Sequence, residues 1–171
     1  MLKRLILCVA LCVATVSALG VQGAVAEEPA LVTFKVLNPS VALDLAQAAL
    51  ENCRKSGFQV AVSVVDRFGT PQVLLRDRFA GPHTPETARR KAWTAISFRT
   101  DTLELSKLSL AGQAQSGVRF VEGALMIGGG IPVEAEGSIV AGIGISGAPG
   151  GAADDACARA GIEAVADKIA F

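Results

Sequence analysis

The residues able to do chemistry are few. His83 is the only histidine, on the loop Ala80-Gly81-Pro82-His83 at the mouth of a helix. A lone histidine builds no zinc site by itself, and Cys53 and Cys157 lack metal-ligand spacing. Two readings stay open for His83: a single axial ligand to haem iron, or an exposed ring with no ligand. Met126, in Ala-Leu-Met-Ile, reads as a soft ligand or as core. Arg89, Arg90 and Lys91 follow one another on the same helix. Successive helical residues point roughly 100° apart, so the three cannot face one spot. Arg90 or Lys91 suits a carboxylate such as a haem propionate; the alternative is a solvated face. Gly128-Gly129-Gly130 can take positive φ and admit a ligand close to the backbone. Its amides would cradle an anion, or the run is a tight turn between strands.

Other patterns are excluded on their context. Gly142-Ile143-Gly144-Ile145-Ser146-Gly147 has the letters of a dinucleotide fingerprint. That site needs its glycines between a strand and the opening of a helix, within a βαβ unit. Here the glycines alternate inside a β-rich run, which points instead to a helix or ligand lying close on that face. There is no G-x-S-x-G, no defensible Ser-His-Asp order, and no carboxylate pair beyond Glu134 and Glu136 at a turn. No catalytic residue is assigned, and the chain reads as a binding protein rather than an enzyme.

The ends and the composition set the setting. Lys3 and Arg4 precede an apolar run from Leu5 to Leu19, and Ala24-Val25-Ala26 is a small-x-small cleavage site. Residues 1–26 therefore read as a secretory signal peptide, which places the mature domain, 27–171, in the periplasm or outside the cell. Cys8 and Cys12 leave with it; Cys53 and Cys157 remain. Two cysteines in an exported domain suggest one disulfide, with two buried thiols as the rival. The whole chain has 16 basic and 16 acidic residues, and cleavage removes two of the basic ones. A slightly acidic domain argues against nucleic acid, which requires a basic patch, and gives no electrostatic drive to an anionic membrane. With 51% hydrophobic and 19% charged residues in 171, there is material for one packed domain.

In the mature chain, Asn38-Pro39 should cap and open a first helix. Ala42, Leu45, Ala46, Ala49, Leu50 and Cys53 recur at helical spacing, and Gly57 closes it. Val60–Val65 and Gln72–Asp77 read as a hairpin around Asp66-Arg67-Phe68-Gly69. Thr84 should cap a second helix running to about Phe98, followed by a short one over 101–108 and a loop over 111–117. Ala124–Ile127, Ile131–Val133 and Ser138–Ser146 read as three strands. Asp154 and Asp155 suit the first turn of a last helix, with Cys157, Ala160, Gly161 and Ala164 along one face. The order α-β-β-α-(α)-β-β-β-α, rich in hairpins, predicts an α/β (α+β) domain with an antiparallel sheet.

Several of these segments together resemble the GlcG/HbpS family. They are Val64–Gly69, Ala88-Arg89-Arg90-Lys91-Ala92-Trp93-Thr94-Ala95, Gly128–Val133, Gly142–Gly147 and Asp154–Gly161, in matching order from about Val41 to Phe171. The resemblance implies a profilin-like fold, a central antiparallel sheet flanked by helices. It also implies homo-oligomers and, in some members, haem binding, with related domains attached to cobalamin adenosyltransferases. In a profilin-like fold the first and last helices lie side by side, which brings Cys53 and Cys157 together. The reading that follows is an exported haem- or tetrapyrrole-binding protein for binding, storage or sensing. His83 is its candidate axial and metal ligand, and Arg90, Lys91 and Gly128–Gly130 line its pocket. The alternatives are a metal-free binder or enzyme for a small carboxylate, and a structural oligomer subunit.

Overall fold

The structure, a computed structural model, describes residues 28–170. The expected signal peptide lies outside the described residues, apart from which residues 28–33 form no helix or strand. From Phe34 onward the chain forms one compact unit. Helix α1 spans Pro39–Lys55, strands β1 and β2 span Ala61–Asp66 and Pro71–Arg76, and helices α2 and α3 span Thr84–Phe98 and Thr102–Leu108. Strands β3 and β4 span Gly130–Ala135 and Ser138–Ser146, followed by α4, Gly151–Ala164, and the single turn α5, Ala166–Ile169. The sheet is four-stranded and antiparallel throughout, in the order β2-β1-β4-β3. The expected α+β architecture is what the chain adopts.

Local signals explain the element ends. Asn38 Oδ1 accepts the Ser40 amide at 3.0 Å, and Pro39 opens α1. At its other end Gly57, at φ 81°, donates to Arg54 O, and Phe58 donates to Cys53 O. This is a Schellman closure, with glycine at the one position that needs the left-handed conformation.

The two faces of the sheet differ in kind. Val62, Val64, Ile131, Val133, Ile143 and Ile145 are all buried in the main core, against Leu45, Ala46, Ala49 and Cys53 of α1 and Cys157 and Ala158 of α4. The other face is nearly bare: Ser63 pairs with Gly144, and Gly144 with Gly130, while Gly142 pairs with Pro132. Helix α2 lies on this bare face. A Cβ at Gly142 would meet Ala92 O at 2.9 Å, one at Gly144 would overlap Ala88 O, and one at Gly130 would overlap Lys91 O. The alternate glycines of β4 are thus the seat of a helix, as their placement inside a strand implies.

Four expectations need correction. Ala124–Ile127 is not a strand, because α2 takes its backbone: the Leu125 amide donates to Thr94 Oγ1 at 2.9 Å, and Arg90 donates to the carbonyls of Gly123 and Ala124. The end of the 111–117 loop winds into a 3₁₀ turn, Ser116–Phe120. Thr84 does not cap α2; His83 holds the cap position, and the Thr84 hydroxyl donates back to Gly81 O at 2.7 Å. The buried face of α4 is Asp154, Asp155, Cys157, Ala158 and Gly161, leaving Ala164 exposed.

Helices α1 and α4 pack side by side. A Cβ at Gly161 would meet Ala49 Cβ at 2.7 Å. A disulfide links Cys53 to Cys157, with Cα atoms 5.5 Å apart.

Because α2 sits against backbone, a single methyl under it has no rotamer to yield. Gly144→Ala is expected to lower stability by about 3 kcal/mol in urea unfolding, the upper part of the overpacking range. Gly112→Ala, at φ 83° with open space around it, is expected to cost only the ~1 kcal/mol of a left-handed residue. Equal losses in the two variants would contradict the close seating of α2.

Candidate functional site

The close approach of α2 fixes where its three consecutive cations go. Arg89 turns outward and pairs with Glu86 through Nε and Nη2 at 2.9 and 2.7 Å. Arg90 reaches sideways to Gly123 O at 3.2 Å and Ala124 O at 2.8 Å. Lys91 points inward and is 1% exposed. Its Nζ donates to Asp154 Oδ2 at 2.6 Å and to Ile145 O at 2.8 Å. Asp154, 3% exposed, accepts the Ala148 amide through Oδ1 at 3.0 Å. Burial pushes the Asp154 carboxyl above its usual range, opposed by the charge and hydrogen bond of Lys91 and by the Ala148 amide.

Lys91 and Asp154 form the floor of a cleft of about 630 Å³. Its walls come from Gly57–Gln59 after α1, from Phe79, Gly81 and His83 ahead of α2, from Ile127, and from Ser146–Gly151 between β4 and α4. The volume lies within the roughly 300–1,000 Å³ of small-molecule and cofactor sites. His83 is exposed at the rim. Its backbone carbonyl accepts from the Thr87 amide and hydroxyl, and its ring lies over Gly81, where a Cβ would meet Cε1 at 2.7 Å. Gly81 therefore leaves room for the imidazole. At the far wall, Gly150 and Gly151 begin α4; the Ala153 and Asp154 amides donate to Gly150 O, and the Gly151 and Ala152 amides ahead of them favour an anionic group.

Of the residues singled out in the sequence, the structure brings His83 and Lys91 to this cleft. Arg90 is engaged elsewhere. Gly128, Gly129 and Gly130 lie behind the cleft wall and do not line it. Gly128 packs on the Gly151 backbone, Gly129, at φ 108°, leaves room for the Asp154 Cβ, and Gly130 is pressed by α2. Their small size serves the ion pair rather than an open loop. Met126 is buried in a small cluster with Leu105 and Ala124. Missed in the sequence were Asp154, Phe79, Ile127 and the loop 147–151. Asp154 carried a signal, an acid in a glycine-rich helix start, but the helix dipole alone explained it.

The fold accords with known proteins. The family model described as "Haem degrading protein HbpS-like" matches residues 37–163. The chain belongs to the HbpS-like family. A double mutant of HbpS from Streptomyces reticuli superposes with a TM-score of 0.74 at 42% identity, over 81% of this chain and 92% of that one. The protein in a structure of a PduOC:heme complex superposes with a TM-score of 0.71 at 33% identity, over 75% and 94%. The corrinoid adenosyltransferase PduO of Salmonella typhimurium (strain LT2) is 37% identical over 105 residues, 60% of this chain and 31% of that protein. The chain spans about a third of the length of the curated relatives it matches.

The buried pair makes a prediction of its own. Lys91→Met leaves a buried carboxylate without its cation and is expected to cost about 3–5 kcal/mol. Adding Asp154→Leu should recover most of that loss, since an apolar pair replaces the charges. The pH dependence has a definite sign. With its folded pKa raised, Asp154 holds its proton more tightly in the folded state. Its contribution therefore falls as pH rises from the ordinary carboxylate value to the elevated one, then stays flat. Stability of the wild type relative to Asp154→Asn, measured by urea unfolding across that window, should decline with rising pH. A rise there would reverse the assignment.

Proposed function

We propose that this protein binds haem or a closely related tetrapyrrole in the cleft between the start of α2 and the start of α4. The observation that carries the reading is the cleft itself, with one imidazole at its rim, His83, and apolar Phe58, Phe79 and Ile127 along its walls. The residues fit the group. His83 offers one axial nitrogen, the apolar side chains suit a macrocycle face, and the first amides of α4 suit its acidic edge. Bound haem would supply an iron centre; the chain supplies binding, orientation and exclusion of water. A 33% identical protein that is nearly fully covered by this chain forms a haem complex, which supports the same reading. The role is binding, storage or sensing. Arg90 and Lys91, expected to pair with a haem propionate, are engaged instead by the Gly123 and Ala124 carbonyls and by Asp154 and Ile145 O, so neither is free to hold a carboxylate in this cleft.

Export and self-assembly belong to the same proposal. The leader read at 1–26 would deliver the domain to the periplasm or the medium, where the Cys53–Cys157 bridge persists. Leu110, Phe120 and Val121, exposed on the connection between α3 and β3, offer apolar surface to further copies of the chain.

Titration of the purified protein with haem should give a saturating Soret band. His83→Ala should shift that band and weaken binding at least about tenfold, the ~1.4 kcal/mol of a modest ligand contact, with the fold intact. An unchanged spectrum removes His83 as the ligand, and no band in the wild type removes the function. For export, protein recovered outside the cytoplasm should begin at Glu27. Its unreduced mass should lie two hydrogens below the reduced one, and reduction should lower stability by about 2–4 kcal/mol. A chain beginning at Met1 with two alkylatable thiols would end this part of the reading.

A further inference from the structure

We propose a second binding site, for a small monocarboxylate, at the other end of the sheet from the cleft above. The β1–β2 turn, the C-terminus of α2 and the β3–β4 turn meet there around a cleft of about 350 Å³ lined by Arg67, Arg99, Glu134, Gly137, Ser138 and Ile139.

Two guanidinium groups line this cleft, and neither forms an ion pair with any carboxylate among the described residues. Arg67 is held in place without one. Its Cζ lies 4.2 Å from the Phe34 ring centre and 5.7 Å from that of Phe68, and the two rings meet edge to face at 5.5 Å. Stacking fixes the guanidinium by its faces and leaves its N–H edges to a ligand. The neighbouring acid, Asp66, turns Oδ1 to the Phe68 and Thr70 amides at 2.8 and 2.9 Å and forms no ion pair with Arg67. Arg99 closes α2 in the left-handed conformation, at φ 52° and ψ 41°. Glycine takes that conformation without cost; here an arginine takes it and reaches the cleft. Among the described residues, the only other non-glycine residue at positive φ is Glu136, in the β3–β4 turn beside Gly137. Strained backbone of this kind gathers at ligand sites.

The charges decide the ligand class. Arginine forks match the planar, two-oxygen edge of a carboxylate. Glu134 sits on the same cleft and cancels one of the two positive charges, leaving a net of one. A singly charged carboxylate complements that balance, whereas a phosphate dianion brings a second charge against Glu134. Ser138 lines the same cleft and adds a hydroxyl.

The test is independent of haem. Thermal unfolding and amide chemical shifts are followed with sodium acetate, sodium phosphate, or sodium chloride at matched ionic strength. Acetate should raise the midpoint by about 2 °C over chloride, and move the amides of Arg67 and Ser138, while phosphate should match chloride. Arg67→Gln should abolish the acetate effect. So should Arg99→Gly, which removes the side chain while relieving its backbone and so keeps the fold. Neither variant should alter the haem Soret titration. An acetate effect no larger than that of chloride, one that survives both variants, or a phosphate effect equal to it would overturn the proposal.

Discussion

Helix α2 and helix α4 lie on opposite faces of the sheet, yet a side chain from each meets at the end of β4. Lys91 from one layer and Asp154 from the other close a pair at 2.6 Å, and Ile145 O of β4 accepts the second Lys91 proton. A buried pair of this kind gives little net stability, because desolvation of both ions offsets their attraction. What it does give is specificity. A buried ammonium or carboxylate is costly once its partner is removed, so placements of α2 and α4 that separate Lys91 from Asp154 are disfavoured. The cleft that holds His83 is bounded by the first turns of those same two helices, so its shape is set by the pair at its floor.

That pair exists only because the backbones come unusually close. Lysine is long, but its carbonyl and its Cα must still lie against β3 and β4 for Nζ to reach Asp154 and Ile145 together. Glycine at 130, 142 and 144 removes the side chains that would hold α2 away. Glycine at 128, 129 and 151 lets the strand-entry loop and the start of α4 pass each other on backbone alone. On the opposite face the chain does the reverse, filling the space between sheet and helices with valine, isoleucine and leucine. One face is therefore packed by volume and the other by contact of main chains. The site lies where the second kind of packing ends.

The layered fold was legible in the sequence because its signals are local. Apolar positions at helical spacing, Asn38-Pro39 at a helix start and Gly57 at its end each act within one turn, and the structure realises them all. The segment Ala124–Ile127 has the composition of a strand but does not form one. Its hydrogen bonds are supplied by Thr94 and Arg90, some thirty residues earlier in the chain, and no window of sequence carries that pairing. The site was half legible for the same reason. His83 stands out as the only imidazole, and the 100° rule already required Arg89, Arg90 and Lys91 to diverge. Which of the three turned inward depended on the glycines of a strand fifty residues on.

The disulfide completes this arrangement from the other side. Cys157 lies one turn beyond Asp154 on α4, and its partner Cys53 is on α1. Gly161, one turn further, lets α4 settle onto Ala49 and the Leu45 carbonyl. Helix α4 is thus fixed along its length to α1 by a covalent link and a close contact, and at its start to α2 by an ion pair. The covalent link acts mainly by limiting the unfolded chain, while the ion pair acts by excluding alternative folded arrangements. Fixing one end by each means gives the first turn of α4 little freedom, and that turn forms a wall of the cleft. A wall fixed in this way has little conformational freedom left to lose, which lowers the cost of ordering it.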